Sequence, residues 1–332
     1  MISVPSFAKI NLGLNIGSKR PDGFHELRTA YQTLALHDII RVQVVAGSGI
    51  EIRCDDDRVP RDESNTCYRI ARRLLSGLDT STRRIVIHIE KHLPVQGGMG
   101  AASSNAVATM LAMERALGIE LAPAEKLRIA AEVGSDLPLF LIGGTVLGVG
   151  RGEEVYPLPD LPVTHVVVVT PALGVSTPKA FARWDELVSR DAALTASGAA
   201  GTMNEFSERV FTWLSKSFPQ AVEPASGVPA VGGDRAETPL LDLVRAGIEN
   251  DFERVVFPEY PELREVKELL LRAGAQYASL SGSGSTVYGL FASEAEAKAG
   301  AQRMNATAYK AIATTTVTRA EYWKAMRVFP LE

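Results

Sequence analysis

The spacing of apolar positions changes along the chain. In FAKINLGLNIG (7–17) they alternate and stop at a turn rich in Gly, Ser, Arg, Pro and Asp, which predicts a strand. DIIRVQVV (38–45) predicts another. RRIVIHIEKHLPV (83–95) alternates plainly: Ile85, Ile87 and Ile89 share one face, Val86, His88, Glu90 and His92 the other, and Pro94 ends the strand. From Ser103 to Leu117 the period becomes helical and apolar on most sides, so this helix is expected inside, with Gly118 as its stop. APAEKLRIAAEVG (122–134) predicts an amphipathic helix, followed by the turn GSDLP. LPLFLIGGTVLGVG (137–150) is short for a membrane span and broken by glycines, so a helix and a buried strand are expected there.

YPLPDLP (156–162) is a proline-rich joint and the expected boundary between residues 1–160 and 161–332. Beyond it, HVVVVTP (165–171) predicts a buried strand. Residues 189–238 are rich in Ala, Gly, Ser and Pro and predict an irregular insertion, with one amphipathic helix around EFSERVFTWLSKSF. PELREVKELLLRAG (261–274) predicts a helix, and SLSGSGSTVYGLF (279–291) a glycine turn leading into a strand. The helix SEAEAKAGAQRM and the strand AIATTTVTRA complete an α+β order.

Composition narrows the class. The chain has 332 residues, enough for two domains, and its 46% apolar and 22% charged residues are those of a globular protein. A net charge of −4 argues against a broadly basic nucleic-acid binder. The first residues, MISVPSFAKINLG, lack the apolar core of a signal peptide. Cys54 and Cys67 are too few for a disulfide framework and predict reduced thiols. A cytoplasmic protein is expected, with no membrane or nucleic-acid partner.

Two glycine-rich turns carry the candidate chemistry. LPVQGGMGAASSN (93–105) has little side chain to pack, and what it offers is backbone N–H groups at a helix start, an anion site by virtue of orphan donors and helix dipole. It is neither a Walker loop, lacking Gly-Lys-Ser/Thr, nor a dinucleotide fingerprint, lacking the third glycine and the later acidic strand end. A plain strand–helix turn is the competing reading. Ser103, Ser104 and Asn105 add polar groups at its mouth. Ser281-Gly282-Ser283-Gly284-Ser285 is a second turn that would close a backbone nest over the same site, or serve as a flexible turn. Asp136 is a candidate base or a turn cap, and Lys9, inside an apolar strand, is either paired or exposed. His88, Glu90 and His92 imitate a metal site on what is better read as a solvated strand face.

These residues resemble a family. PVQGGMGAASSN is similar to the phosphate-binding signature of the small-molecule GHMP kinases, which include galactokinase, homoserine kinase and mevalonate kinase. PSFAKINLGLNIGSKRPDGFHEL (5–27) resembles the N-terminal signature of the 4-diphosphocytidyl-2-C-methyl-D-erythritol kinases, and further matches cover nearly everything outside 189–238. The resemblance implies an N-terminal domain like the second domain of ribosomal protein S5 and a ferredoxin-like C-terminal domain. It implies transfer of ATP's γ-phosphate to the C2 hydroxyl of the cytidyl-linked acceptor, on the methylerythritol phosphate route to isoprenoid precursors, with Mg2+ and in a monomer or weak homodimer. Carried over by position, Asp136 would be the base and Lys9 its partner. Pro94, Gly97, Gly98, Gly100, Ser103 and Ser104 would hold ATP, and Asn65 and Lys91 would contact the nucleotide. Asn11, Phe24, His25 and Thr177 would meet the acceptor, the cytosine stacking on an aromatic ring. No protein residue is implied as a metal ligand. Two departures stand out: Phe24 replaces the common Tyr, and Gln96, Ala101 and Ala102 stand where many relatives have glycine; a methyl at 101 or 102 is tolerated only if φ stays negative there.

Overall fold

Residues 1–76, 78, 81–95, 97–190, 206–210 and 248–327 are described by the structure, a computed structural model. The expected insertion therefore lies largely outside the described residues. Of its helix only 206–210 are described; they are helical, and Phe206 and Val210 are buried.

The first half is a six-stranded sheet with helices packed on it. Strands β1 (Ile2–Lys19) and β2 (His25–Ala46) form a long antiparallel pair. β2 also pairs with β4 (Arg83–Glu90) and β5 (Thr145–Val149). β3 (Gly49–Cys54) lies parallel to β4, and β6 (Glu154–Pro157) completes the far edge. Both long strands exceed the sequence expectation. Only 38–45 of β2 was legible, because HELRTAYQTLALH mixes polar and apolar residues without clean alternation. The cause is that this part of β2 pairs on both sides and contributes to more than one core.

Helices α1 (Thr66–Leu75), α2 (Ala101–Leu117), α3 (Pro123–Val133) and α4 (Leu137–Phe140) cover one face of this sheet. Helix α2 is buried over most of its length, as its all-round apolarity required, and Gly118 ends it at φ 67°. Ile85, Ile87 and Ile89 point into the same core at 0%, 0% and 1% exposure, confirming the alternation read in β4.

The second half is a four-stranded antiparallel sheet in the order β10–β7–β9–β8: β7 is His165–Val169, β8 Tyr277–Leu280, β9 Val287–Phe291 and β10 Ala311–Thr315. The period of two divides its faces. Val167, Val169 and Val287 meet α5 (Thr177–Arg190), α6 (Glu253–Glu259), α7 (Pro261–Arg272) and α8 (Glu294–Asn305), whereas Val166, Val168, Tyr288 and Leu290 pack against Ala8, Ile10 and Leu12 of β1. This shared apolar layer joins the two halves.

Two features differ from the sequence expectation. The turn at 281–286 joins two strands of a hairpin rather than a helix and a strand, the four residues of β8 being too short to show a period. Beyond β10 comes an unforeseen helix, α9 (Arg319–Met326), with a capping box at Thr318 and Glu321. It returns to the first half: Tyr322 donates its hydroxyl to the Phe140 carbonyl at 2.6 Å, and Trp323 Nε1–H to that of Ile142 at 2.8 Å.

Candidate active site

Alternation along β1 puts Ala8, Ile10 and Leu12 on the apolar face shared with the second sheet and turns Lys9 and Asn11 the other way. The register is irregular between Phe7 and Lys9 and again between Asn11 and Gly13, the kind of bulged pairing that re-aims side chains near sites. Tyr31 lies opposite Asn11 on β2 and so shares its face. Lys9 is 4% exposed. Its Nζ donates to Asn11 Oδ1 at 2.6 Å, stands 3.5 Å from Asp136 Oδ2 and lies 5.4 Å from the centre of the Tyr31 ring. Asp136 immediately precedes α4, caps no backbone group with its side chain, and is 37% exposed. The Tyr31 hydroxyl donates to its other oxygen at 3.2 Å. Burial, and then the Asp136 charge, push the Tyr31 phenol well above its ordinary value, so it stays a donor.

Asn11 is fixed at both ends of its amide: Oδ1 accepts from Lys9, and Nδ2 donates to Thr29 Oγ1 at 2.8 Å. Tyr288 of β9 donates to its backbone carbonyl at 3.1 Å. Asn11 lines the cleft, but its amide holds Lys9 in place, a duty the sequence did not reveal.

The two glycine turns meet face to face. Thr286 N–H donates to the Gly97 carbonyl at 3.0 Å, and Ser281 Oγ to that of Gly98 at 3.2 Å. Gly98 (φ 83°) and Gly284 approach so closely that a Cβ on Gly98 would stand 2.7 Å from the Ser281 carbonyl oxygen. Gly100 (φ 69°) precedes α2, where a Cβ would press on the stem of Lys9. Ala101 and Ala102 are already helical, which is why their methyl groups are accepted.

Two recesses open from this junction. A cleft of about 730 Å³ is lined by Lys9, Asp136 and Tyr31 and also by Phe24, His25 and Phe181. A second recess of about 350 Å³ holds Asn65, Lys91, Pro94, Gly97 and Ser103. Gly98 and Gly100 line both, so the recesses adjoin at the glycine turn beside Lys9.

Other residues sit differently from the expectation. Ser104 is 1% exposed and lines neither recess, because the helical turn carries it inward to bond Ser6 Oγ at 2.8 Å. Asn105 likewise accepts from Ser6 and donates to Asp38 Oδ2 at 3.1 Å. Asn65 lines the second recess, yet its side chain caps α1 by accepting from Cys67 N–H and donates to the Pro60 carbonyl. Lys91 is paired with Asp38 at 2.5 Å, and Asp38 also accepts from the N–H groups of His92 and Leu93 at 2.7 Å each. This buried carboxylate, opposite Ser6 in the β1–β2 register, fixes the glycine turn from behind; the sequence carried no signal of it.

Phe24 is 52% exposed at the cleft rim, with the Arg151 guanidinium 4.9 Å from its ring centre. His25 is buried against Phe181. Thr177 begins α5 and shares a hydrogen bond of 2.7 Å with Ser283 of the second turn. His92 pairs with Glu90, and no cluster of three or more potential metal-ligating side chains occurs among the described residues. Cys54 and Cys67 are free and buried.

The glycine turn before α2, the Lys9–Asp136 pair and the second turn from the other half stand together in a chain that carries both domains of the GHMP small-molecule kinases. The GHMP kinases N terminal domain matches residues 65–144 and the GHMP kinases C terminal domain residues 237–310. A mevalonate kinase from L. major shares the fold, at a TM-score of 0.68 and 15% identity over 95% of each chain. More specifically, the chain belongs to the family of 4-diphosphocytidyl-2-C-methyl-D-erythritol kinases. It is 36% identical to the Solibacter usitatus kinase of that name over 86% of this chain and 80% of that protein. It is 32% identical to the Moorella thermoacetica one over 96% and 99%. A crystal structure of 4-(cytidine 5'-diphospho)-2C-methyl-D-erythritol kinase superposes with a TM-score of 0.69 at 27% identity, covering 95% of this chain and 98% of that one.

Proposed function

We propose that this chain transfers the γ-phosphate of ATP to the 2-hydroxyl of 4-diphosphocytidyl-2-C-methyl-D-erythritol, a step of isoprenoid precursor synthesis by the methylerythritol phosphate pathway. The observation that carries the reading is the position of the Lys9–Asp136 pair where two adjoining recesses meet at Gly98 and Gly100. ATP takes the smaller recess, its phosphates on the backbone of 97–103, with Pro94 and Lys91 beside it. The acceptor takes the larger cleft, its cytosine stacked on Phe24 with its edge toward His25 and its hydroxyl end toward Asp136.

The acceptor oxygen bonds to the γ-phosphorus as the bond to the β–γ bridging oxygen breaks, and Asp136 receives the hydroxyl proton. Tyr31 and Lys9 hold the carboxylate at both oxygens, so its direction is set before substrate arrives. The Lys9 ammonium also offsets charge on the transferring group, the largest demand in phosphoryl transfer. The acceptor is a tertiary alcohol, and such a crowded nucleophile depends on placement as much as on basicity. The Ser103 hydroxyl, a hard oxygen in the smaller recess, would help to hold Mg2+ together with the ATP phosphates and water, and the ion would spread the phosphate charge. The reading includes a cytoplasmic location and ATP and the acceptor as the protein's small-molecule partners. No described helix is long and apolar enough to cross a membrane.

The test is incubation with γ-labelled ATP and the cytidyl-linked acceptor. Label is expected on the acceptor and not on homoserine or mevalonate; the reverse pattern would move the chain to a sister activity.

A further inference from the structure

His25 opens β2, and its ring is held from the other half of the molecule. Phe181 stacks on it with centroids 4.8 Å apart and planes 10° apart. Asp185 Oδ1 lies 2.6 Å from its Nε2, and Lys19 Nζ lies 3.7 Å from the other carboxylate oxygen. Phe181 and Asp185 are one turn apart on α5 and so project from the same face. Nδ1, by contrast, has no hydrogen-bond partner among the described residues and is not sealed from solvent, and His25 lines the acceptor cleft.

We propose that Asp185 determines which base the cleft accepts, by fixing the hydrogen on Nε2 of His25. The inference rests on the proposed acceptor and deepens it. An ionised carboxylate can only accept, so the nitrogen facing it must carry the hydrogen. With its hydrogen on Nε2, the ring presents a lone pair at Nδ1. Cytosine offers an amine donor at its C4 position; uracil offers a carbonyl oxygen there. An acceptor at Nδ1 bonds the first and faces the second lone pair to lone pair. Asp185 touches no substrate in this arrangement. It is a positioning residue whose effect is base selectivity.

The experiment is steady-state kinetics on the full chain with the cytidyl-linked acceptor and its uridyl counterpart. Wild type is expected to prefer the cytidyl compound. Asp185→Ala is expected to raise the cytidyl KM about tenfold with kcat within about threefold, the size of one mispaired hydrogen bond, and to narrow the base preference by a similar factor. Asp185→Asn should behave alike, because its amide can donate to Nε2 and send the hydrogen to Nδ1. Asp185→Glu, which keeps the carboxylate, should restore part of the preference. The KM for ATP reports the folded state and should not move in any variant. Since Asp185 is 42% exposed, these variants are expected to fold. Equal KM increases for both acceptors, or undiminished preference in the Ala and Asn variants, would reduce Asp185 to a strap between α5 and β2 and leave the proposed reaction standing. A wild type that is active but indifferent to the base overturns this inference and the cytosine site with it, and a wild type inactive on the cytidyl acceptor overturns the proposed function itself.

Discussion

Lys9 Nζ stands 3.5 Å from Asp136 Oδ2, an almost fully buried cation beside a carboxylate that still reaches solvent. The asymmetry matters. Lys9 is locked by Asn11 and packed against the Tyr31 ring, while Asp136 keeps an open side toward the cleft. For Asp136→Asn we expect nearly intact ATP binding and turnover lowered by at least about 10²-fold, the usual weight of a general base. Single-turnover kinetics with a nucleotide-binding assay measures both, and near-normal turnover would falsify the assignment.

Tyr31→Phe removes one hydroxyl and leaves the ring in place. The carboxylate then loses the donor on Oδ1 while keeping Lys9 on Oδ2. Turnover should fall about tenfold, the scale of one hydrogen bond to a charged group, with little change in melting temperature. A large loss of stability with unchanged kcat in the folded fraction would make Tyr31 a packing residue only.

Phe24→Ala deletes the exposed ring at the rim of the larger cleft. The KM for the acceptor should rise several-fold more than that for ATP, since base stacking contributes about 1–3 kcal/mol. Equal losses for the two ligands would place the base elsewhere.

Gly98→Ala tests the contact of the two turns. The residue has φ 83°, and the added methyl would stand 2.7 Å from a backbone oxygen, which cannot swing aside as a side chain could. Strain of about 1–3 kcal/mol and a marked loss of ATP affinity are expected, seen by denaturant melts and nucleotide titration. An unaffected protein would mean that the turns separate freely in solution.

Asp38→Ala leaves Lys91, whose side chain is only 9% exposed, without its partner, along with the donors on His92, Leu93 and Asn105. A loss of about 3–5 kcal/mol is expected from stranding a buried charge. Urea unfolding measures it; a loss below about 1 kcal/mol, the range of an exposed pair, would show that water already reaches this cluster.

Much of this protein was written in local periodicity. Alternation in β4, the all-round apolarity of α2 with Gly118 behind it, and the apolar run of β7 each follow from near-neighbour spacing, and the structure bears them out. The glycines of 97–100 were legible for a similar reason, since a turn that lacks side chains presents backbone instead. Other features depend on what stands across the fold. Ser104 and Ser103 are adjacent and chemically alike, yet helical rotation and the arrival of Ser6 turn one into the core and leave the other at the recess. Asn11 became a brace for Lys9, Asp38 an anchor for the glycine turn, and Asp185 a partner of His25 only once β1, β2 and α5 had met. A polar side chain's role is set by the partner that satisfies it, and that partner here lies far along the chain. Residue spacing therefore determined the elements and the turns, and tertiary packing decided which of their polar groups face the cleft and which hold it open.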